Sequence, residues 1–277
     1  MKTILVPTDF SPTAENALKF AVEMNKKLNG EILLFHAYEV PMPVTDVPIM
    51  PPDDEFRETA LNTLNQLHDN FSSQYPEMKF KIEVAMGNSN NEILRMETQT
   101  QCSMVVMGSY GDDTMHHLVA GKHVSAVIGK SGCPVLVIPG MATFKQMNKI
   151  VFAVNFGIDD LDNSMEVADL AKEFEAEIII LHIITAEHGK RHQHVEIEKF
   201  RQNVIEQSGY NNISMKLLEH KNVFEGINFY TKEINADLLV VNMRERSLMD
   251  RILNRSLTKK MAYHAATPLM VLHTAVE

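Results

Sequence analysis

The sequence contains only two cysteines, Cys102 and Cys133, among 277 residues. Two are too few for the disulfide framework of a small secreted domain and suit a reducing compartment, so we expect two inert buried thiols. No apolar run reaches the ~18–20 residues that a membrane-spanning helix needs. The apolar run in the opening MKTILVPTDF is too short for the core of a secretory signal. We therefore expect a soluble cytoplasmic protein with no membrane partner.

Positive charge is also scarce, with 26 Lys and Arg against 36 Asp and Glu and a formal net charge of −10. Proteins that bind nucleic acids or anionic membranes need a basic surface, so this balance argues against both partners and leaves room for one small anion site. Hydrophobic residues make up 45% and charged residues 22%, which is typical of a globular protein and excludes global disorder.

The chain repeats itself. TILVPTDF at 3–10 aligns with KIVFAVNF at 149–156, and the same offset of 146 aligns EILLFHA with EIIILHI. The offset falls to 134 for SMVVMG and CPVLVI, because a proline-rich loop at 40–52 has no counterpart in the second copy. Two copies of about 130–140 residues are each the size of a domain. We therefore expect domains at 1–140 and 149–277, joined by a linker at 140–148.

Within each copy, short apolar runs alternate with helical patterns. The five runs of the first copy suit a parallel sheet buried on both faces. Ser11 before Pro12 predicts a helix start, the ranges 53–75 and 89–101 are also helical in pattern, and Gly129 is expected to end a helix in the left-handed conformation. The predicted fold class is α/β: two tandem doubly wound, Rossmann-like domains, each with a five-stranded parallel sheet and right-handed connections.

Such sheets bind ligands outside the carboxyl ends of their strands, where the strand order reverses. One relevant segment is the turn after the first strand, and the other is the loop MGSYGDDTMHHLVAGKHVS after the fourth. Its glycines, Gly108, Gly111 and Gly121, allow close backbone approach to a ligand. Gly121 would open a helix whose free N–H groups favour a phosphate, and Lys122 could add charge. A surface loop without a ligand is the alternative interpretation.

The spacing Gly-x2-Gly-x9-Gly, with PTDF after the first strand and CPVLVIP near the domain end, resembles the universal stress protein family. The resemblance covers the whole chain as a tandem two-domain member. It implies a stress-response regulator, the strand order 3-2-1-4-5 and, in one subclass, ATP bound in the crevice between strands one and four. The implied cofactor is ATP, with or without Mg²⁺, or a related adenine nucleotide.

Family residues carry over onto matching positions of the first copy. The resemblance implies that Asp9 and Ala37 lie at the adenine and ribose, that Met107 and Gly108 form the floor, and that Gly111, Gly121 and Lys122 meet the phosphates. The same expected site includes Pro7, Thr8 and His123.

Two departures from the family pattern bear on the phosphates. Lys122 stands where the family has Ser or Thr, and Asp112 and Asp113 stand where basic residues are common. Two carboxylates repel a triphosphate unless Lys122 or a metal offsets them.

The second copy departs further from the pattern. Asn242, Glu245 and Arg255 occupy its three glycine positions, Asn155 replaces Asp9, and Ile183 replaces Ala37. We therefore expect a second site that is degenerate for nucleotide. Four arginines lie close together in this segment: Arg244, Arg246, Arg251 and Arg255. A solvated helix face is the favoured interpretation, and an anion site or an interface is the alternative.

Histidines offer no complete metal site or catalytic set. The tracts contain His116, His117, His123, His188, His192 and His194, without a third ligand or an HExxH pattern, so surface residues are favoured over a zinc site. His36 and His182 recur at the same place in both copies, which favours a structural role such as a hydrogen bond to a neighbouring loop. The triplet 129–131, GKS, precedes a strand and lacks the first glycine of a phosphate-binding P-loop.

Three hypotheses follow. The first is a nucleotide-responsive regulatory protein that is not an enzyme and signals to an unknown protein partner. The alternative is a non-nucleotide-binding stress or scaffold protein that acts through protein–protein contacts. In it the apolar fifth strands PVLVIP and PLMVL would pair within one chain as a pseudo-dimer, with a further homodimer left open. The third hypothesis is an enzyme on this fold, but the sequence contains no recognisable catalytic nucleophile.

Overall fold

The computed structural model describes residues 2–40, 53–109, 122–156, 158–185, 190–243 and 267–273. The N-terminal half contains β1 (Thr3–Pro7), α1 (Pro12–Leu28), β2 (Glu31–Tyr38), α2 (Asp53–Gln74), β3 (Lys79–Met86), α3 (Ser89–Thr100), β4 (Met104–Gly108), α4 (Lys122–Ile128) and β5 (Val135–Ile138). The C-terminal half contains β6 (Lys149–Ala153), α5 (Ile158–Phe174), β7 (Glu177–Ile184), α6 (Lys190–Ser208), β8 (Ile213–Glu219), α7 (Val223–Glu233), β9 (Leu238–Met243) and β10 (Leu269–His273).

The strands form one ten-stranded sheet in the order β3-β2-β1-β4-β5-β10-β9-β6-β7-β8. Neighbouring strands within each half run parallel, so each half has the order 3-2-1-4-5 and the predicted fold class is confirmed. The halves meet where β5 and β10 pair antiparallel, with Leu136 opposite Met270. The apolar fifth-strand edges therefore cover each other within one chain, as expected for a pseudo-dimer.

The outer strands are not buried on both faces, contrary to the sequence expectation. β3 alternates exposed and partly buried residues, and Lys79, Lys81 and Glu83 point to solvent. The physical reason is position: β3 lies at the edge of the sheet, where charged residues discourage pairing with another chain. The central strands β1, β4 and β5 are buried, as predicted.

Helix α1 begins as its sequence predicts. Ser11 accepts a hydrogen bond from Ala14 N at 3.2 Å, and Pro12 occupies the first turn, where it has no hydrogen bond to lose. The left-handed conformation predicted for Gly129 is wrong, since Gly129 has no positive φ. Its N–H still bonds to Ser125 O, and the turn closes through Lys130 N and Ser131 N on Val127 O, so a left-handed residue is unnecessary.

The repeat preserves backbone conformation as well as sequence. Among the described residues, six non-glycine residues have a positive φ, and they form three pairs at the repeat offsets: Phe10 and Phe156, Asn29 and Glu175, Gln101 and Asn235. This conformation is uncommon for residues with a Cβ atom. Its recurrence at the end of the first strand and after two helices shows that both copies turn the chain in the same way.

Aromatic side chains join the two halves on one face of the sheet. Phe144 of the linker meets Phe20 of α1 edge-on, with ring centroids 5.1 Å apart, and meets Phe174 of α5 at 6.0 Å. Asn16 fixes the start of the linker, because its Nδ2 donates to Pro139 O and Ala142 O. Buried residues of both halves therefore form one continuous core cluster on this face. Among the described helices, none combines the length and apolarity that a bilayer crossing requires.

Candidate nucleotide site

Hydrogen bonds fix the turn between β1 and α1. Thr8 is buried, its N–H donates to Phe35 O at 2.8 Å, and its Oγ1 accepts from Phe10 N at 3.0 Å. Asp9 Oδ1 accepts from Ser11 N at 3.0 Å. The turn that carries Thr8 and Asp9 is therefore held in place before any ligand arrives.

A histidine of the neighbouring strand supports this turn. His36 Nδ1 lies 2.8 Å from Thr8 O, and the His36 ring packs on Phe10 with centroids 4.4 Å apart. A carbonyl oxygen can only accept, so Nδ1 carries the proton. His182 repeats the hydrogen bond to Val154 O at 2.9 Å, which confirms the structural role expected of both histidines.

Three predicted site residues share one face of the sheet. Pro7 pairs in register with Phe35, and Met107 and Phe35 belong to the core cluster that α3 and α4 cover. Side chains two residues apart on a strand point to the same face, so Ala37 lies on this face beyond Phe35 and packs against the same cluster. The structure thus brings Pro7, Ala37 and Met107 together at the carboxyl ends of β1, β2 and β4.

Gly108 belongs to the opposite face, where it serves packing. A Cβ atom at Gly108 would lie 2.8 Å from Thr13 O, so the backbone of α1 could not approach β4 this closely beside any other residue. The predicted role of Gly108 as floor of a ligand site remains a prediction. The sequence offered no sign of this contact, which joins residues 95 positions apart.

Ser109, which the sequence reasoning missed, follows β4 directly. Its N–H donates to Ile138 O at 2.9 Å, and the residue is only 7% exposed. Within the part of the chain that the structure describes, its hydroxyl has no hydrogen-bond partner. A buried hydroxyl without a partner is costly, and Ser109 stands directly after β4, beside the predicted site.

Other predicted residues lie outside the described part of the chain. They are Gly111, Asp112, Asp113, His116, His117, Gly121, His188, Arg244, Glu245, Arg246, Arg251 and Arg255. Lys122 and His123 form the start of α4, directly after Gly121, where the sequence predicts a helix to begin. Within the described ranges, no group of three His, Cys, Asp or Glu side chains is placed to hold a metal ion.

In the second half, polar side chains fill the contact between α5 and β9, which corresponds to the contact between α1 and Gly108 in the first half. Asn242, at the position of Gly108, donates from Nδ2 to Asp160 Oδ1 at 2.6 Å and accepts from Asn163 Nδ2 at 3.0 Å. Asp160 Oδ2 also accepts from Asn155 N at 2.9 Å. Asp160, Asn163 and Asn242 are all buried. These three, called the polar trio below, occupy the positions of Ala14, Ala17 and Gly108, which the repeat offsets alone could have revealed.

The face that corresponds to Pro7, Ala37 and Met107 is filled in the second half. Ile183 stands at the position of Ala37 and is 7% exposed. Its Cδ1 atom would lie 3.1 Å from a Cβ at Gly226, so the side chain packs closely against α7. A large side chain therefore replaces a small one on the face of the C-terminal sheet that corresponds to the predicted site.

Comparison with known proteins agrees with this architecture. The model of the Universal stress protein family matches residues 1–139 and 147–273. The chain belongs to the universal stress protein family. Universal stress protein MJ0577 of Methanocaldococcus jannaschii is 28% identical over 152 residues, which cover 50% of this chain and 94% of that protein. Universal stress protein MJ0531 of the same organism is 25% identical over 144 residues, covering 50% and 81%.

A solved structure matches almost the whole chain. The crystal structure of a universal stress protein from Archaeoglobus fulgidus has 19% sequence identity and a TM-score of 0.74, and the match covers 98% of this chain and 96% of that one. The fold of the entire tandem chain is therefore shared with that protein.

Proposed function

We propose that this universal stress protein is a regulator whose N-terminal half binds ATP or a related adenine nucleotide at the carboxyl ends of β1 and β4. Membership of the family supports a stress-response function. In this proposal the protein binds the nucleotide and signals to a protein partner in the cytoplasm, and it is not an enzyme. The predicted domains 1–140 and 149–277 have different roles, because only the first retains a site.

The observation that carries the proposal is the contrast between two crevices built on the same strand order. Ile183 is 7% exposed and packs against α7 in the C-terminal half, whereas the small and partly exposed Ala37 stands at the same position of the N-terminal half. Because Ala37, Pro7 and Met107 share one face, they are suited to contact a flat apolar base.

Polar groups at the same edge suit the rest of a nucleotide. Asp9 stands at the turn after β1, and the hydroxyl of Ser109 has no partner among the described residues. Gly111, Gly121, Lys122 and His123 would complete the phosphate end, as the family resemblance implies. If Mg²⁺ accompanies the nucleotide, it would offset the repulsion between the phosphates and the acidic residues of this loop.

The experiment is calorimetric titration of the full chain with ATP and Mg²⁺, with the Ala37→Ile and Ile183→Ala variants in parallel. Overfilling a close-packed pocket costs roughly 1–3 kcal/mol, so Ala37→Ile should weaken binding by about tenfold or more. Ile183→Ala makes the reverse change in the other half and should leave nucleotide affinity unaltered. Wild-type protein that gives neither heat nor a rise in melting temperature at millimolar nucleotide would contradict the proposal, because a bound ligand stabilises the folded state.

The Ser109→Ala variant distinguishes an effect on nucleotide binding from an effect on the stability of the fold. The hydroxyl makes no hydrogen bond to any described residue, so its removal should leave the melting temperature of the free protein unchanged or slightly raised. The same change should weaken nucleotide binding by about 0.5–1.5 kcal/mol if the hydroxyl bonds to the ligand. Equal nucleotide affinity in Ser109→Ala and wild type would show that Ser109 does not contact the nucleotide.

Absence of nucleotide binding would favour the alternative of a stress or scaffold protein. The paired β5 and β10 edges are used within the chain, so partners in that case would have to contact other surfaces. Pull-down of the same partners by wild type and Ala37→Ile would then be expected.

A further inference from the structure

The two cysteines meet, although the sequence separates them by 31 positions. Cys102 Sγ and Cys133 Sγ lie 3.7 Å apart, since each residue stands just before one of the adjacent parallel strands β4 and β5. Cys102 is buried, whereas Cys133 is partly exposed, so the expectation of two buried thiols is wrong for Cys133. The partial exposure arises because Cys133 lies in the turn between α4 and β5.

We propose that Cys102 and Cys133 form an oxidation site, which a hydroperoxide converts into an intramolecular disulfide. The sulfurs are already in contact and need to approach by about 1.7 Å to reach the ~2.05 Å of a disulfide bond. No other cysteine exists in the chain, so the disulfide has only one possible pairing within a molecule.

The surroundings assign different roles to the sulfurs. The hydrogen bond between the two sulfurs lowers the pKa of the Cys102 thiol and raises that of Cys133. The thiolate is the nucleophile in cysteine oxidation, so Cys102 reacts first and Cys133 resolves the product.

A buried carboxylate fixes the turn that carries Cys133. Glu97 of α3 accepts hydrogen bonds from Gly132 N at 2.6 Å, Cys133 N at 3.0 Å and Ser131 Oγ at 2.9 Å. These bonds hold the Cys133 backbone in position, so that its sulfur stays beside Cys102.

The chemistry balances in two steps. The Cys102 thiolate attacks one oxygen of the hydroperoxide, the O–O bond breaks, and Cys102 becomes a sulfenic acid while the other oxygen leaves as alcohol or water after protonation. The Cys133 sulfur then attacks the Cys102 sulfur, the S–S bond forms, the S–OH bond breaks, and the hydroxide takes the Cys133 proton as water. Two thiols are oxidised by two electrons, and one hydroperoxide is reduced.

The site is distinct from the proposed nucleotide site. The cysteines lie at the amino ends of β4 and β5, whereas the nucleotide crevice lies at the carboxyl ends, about 17 Å away along the five residues of β4. The disulfide would close a loop from 102 to 133 that contains β4, the glycine-rich segment and α4. Nucleotide binding and oxidation can therefore be tested separately.

The test is exposure of the full wild-type chain to hydrogen peroxide, followed by alkylation and intact-mass spectrometry. We expect a monomer that loses about 2 Da, that offers no thiol to N-ethylmaleimide, and that recovers both thiols with dithiothreitol. Peptide mapping without reductant should recover the 102–133 crosslink. Cys133→Ser should accumulate a sulfenic acid at Cys102 that dimedone traps, because the resolving thiol is gone.

Several results would overturn the proposal. They are two alkylatable thiols after peroxide treatment, a sulfinic acid without a crosslink, or a disulfide only between chains. The wild-type measurement does not depend on the folding of any variant, and Cys102→Ser serves as the matched control that should trap less dimedone than Cys133→Ser.

Discussion

His36 of β2 donates a hydrogen bond to the Thr8 carbonyl oxygen over 2.8 Å, and the bond joins β2 to the turn that begins the proposed site. The equivalent bond between His182 and Val154 occurs in the half whose crevice is filled. The interaction therefore belongs to the architecture of both copies, and the ligand site is proposed beside it in the N-terminal copy alone.

We predict that His36→Ala lowers both stability and nucleotide affinity. The unfolding free energy should fall by about 1–2 kcal/mol, because the Thr8 carbonyl loses its partner and Phe10 loses a ring contact. Denaturant unfolding and calorimetric titration measure the two effects. His182→Ala should destabilise similarly without changing nucleotide affinity. A loss of affinity in both variants alike would mean that the effect is global.

We predict that Gly108→Ala destabilises the protein in the absence of any ligand. The new Cβ would meet the Thr13 backbone at 2.8 Å, and such overpacking typically costs about 1–3 kcal/mol. Gly140→Ala is the matched control, because its Cβ would meet Thr13 Oγ1 at an ordinary 3.5 Å. Equal melting temperatures for Gly108→Ala and wild type would show that α1 does not need this close approach.

We predict that the polar trio is cooperative. Asp160→Ala leaves Asn242 Nδ2 and Asn155 N without their acceptor, so it should cost about 2–3 kcal/mol of unfolding free energy. Adding Asn163→Ala and Asn242→Gly, which restores the residues of the first half, should cost less than the sum of the single changes. Strict additivity in urea unfolding would contradict a shared network.

We predict that Phe144→Ala weakens the contact between the halves. The ring packs against Phe20 and Phe174, and truncation of this partly buried side chain should cost about 2 kcal/mol. Met141→Ala in the same linker removes a side chain that is 94% exposed and should be neutral. Calorimetric melting of both variants provides the measurement, and equal melting temperatures would exclude a bridging role for Phe144.

The sequence by itself determined the tandem repeat, the alternation of strands and helices, the start of α1 at Ser11 and the common role of His36 and His182. These features depend on local periodicity, on capping chemistry and on recurrence at a constant offset, all of which can be read along the chain. The strand order was predicted from the family resemblance. The prediction that β3 is buried on both faces was wrong, because β3 lies at the edge of the sheet.

Only the tertiary structure decided which distant residues meet. It set Gly108 against Thr13, joined Asp160 to Asn242, brought Cys102 to Cys133 and gave the expected pairing of β5 with β10 its antiparallel direction. Such contacts depend on how strands and helices pack after the chain folds. No local pattern specifies them, because the same residue types at the same spacing would be compatible with many other neighbours.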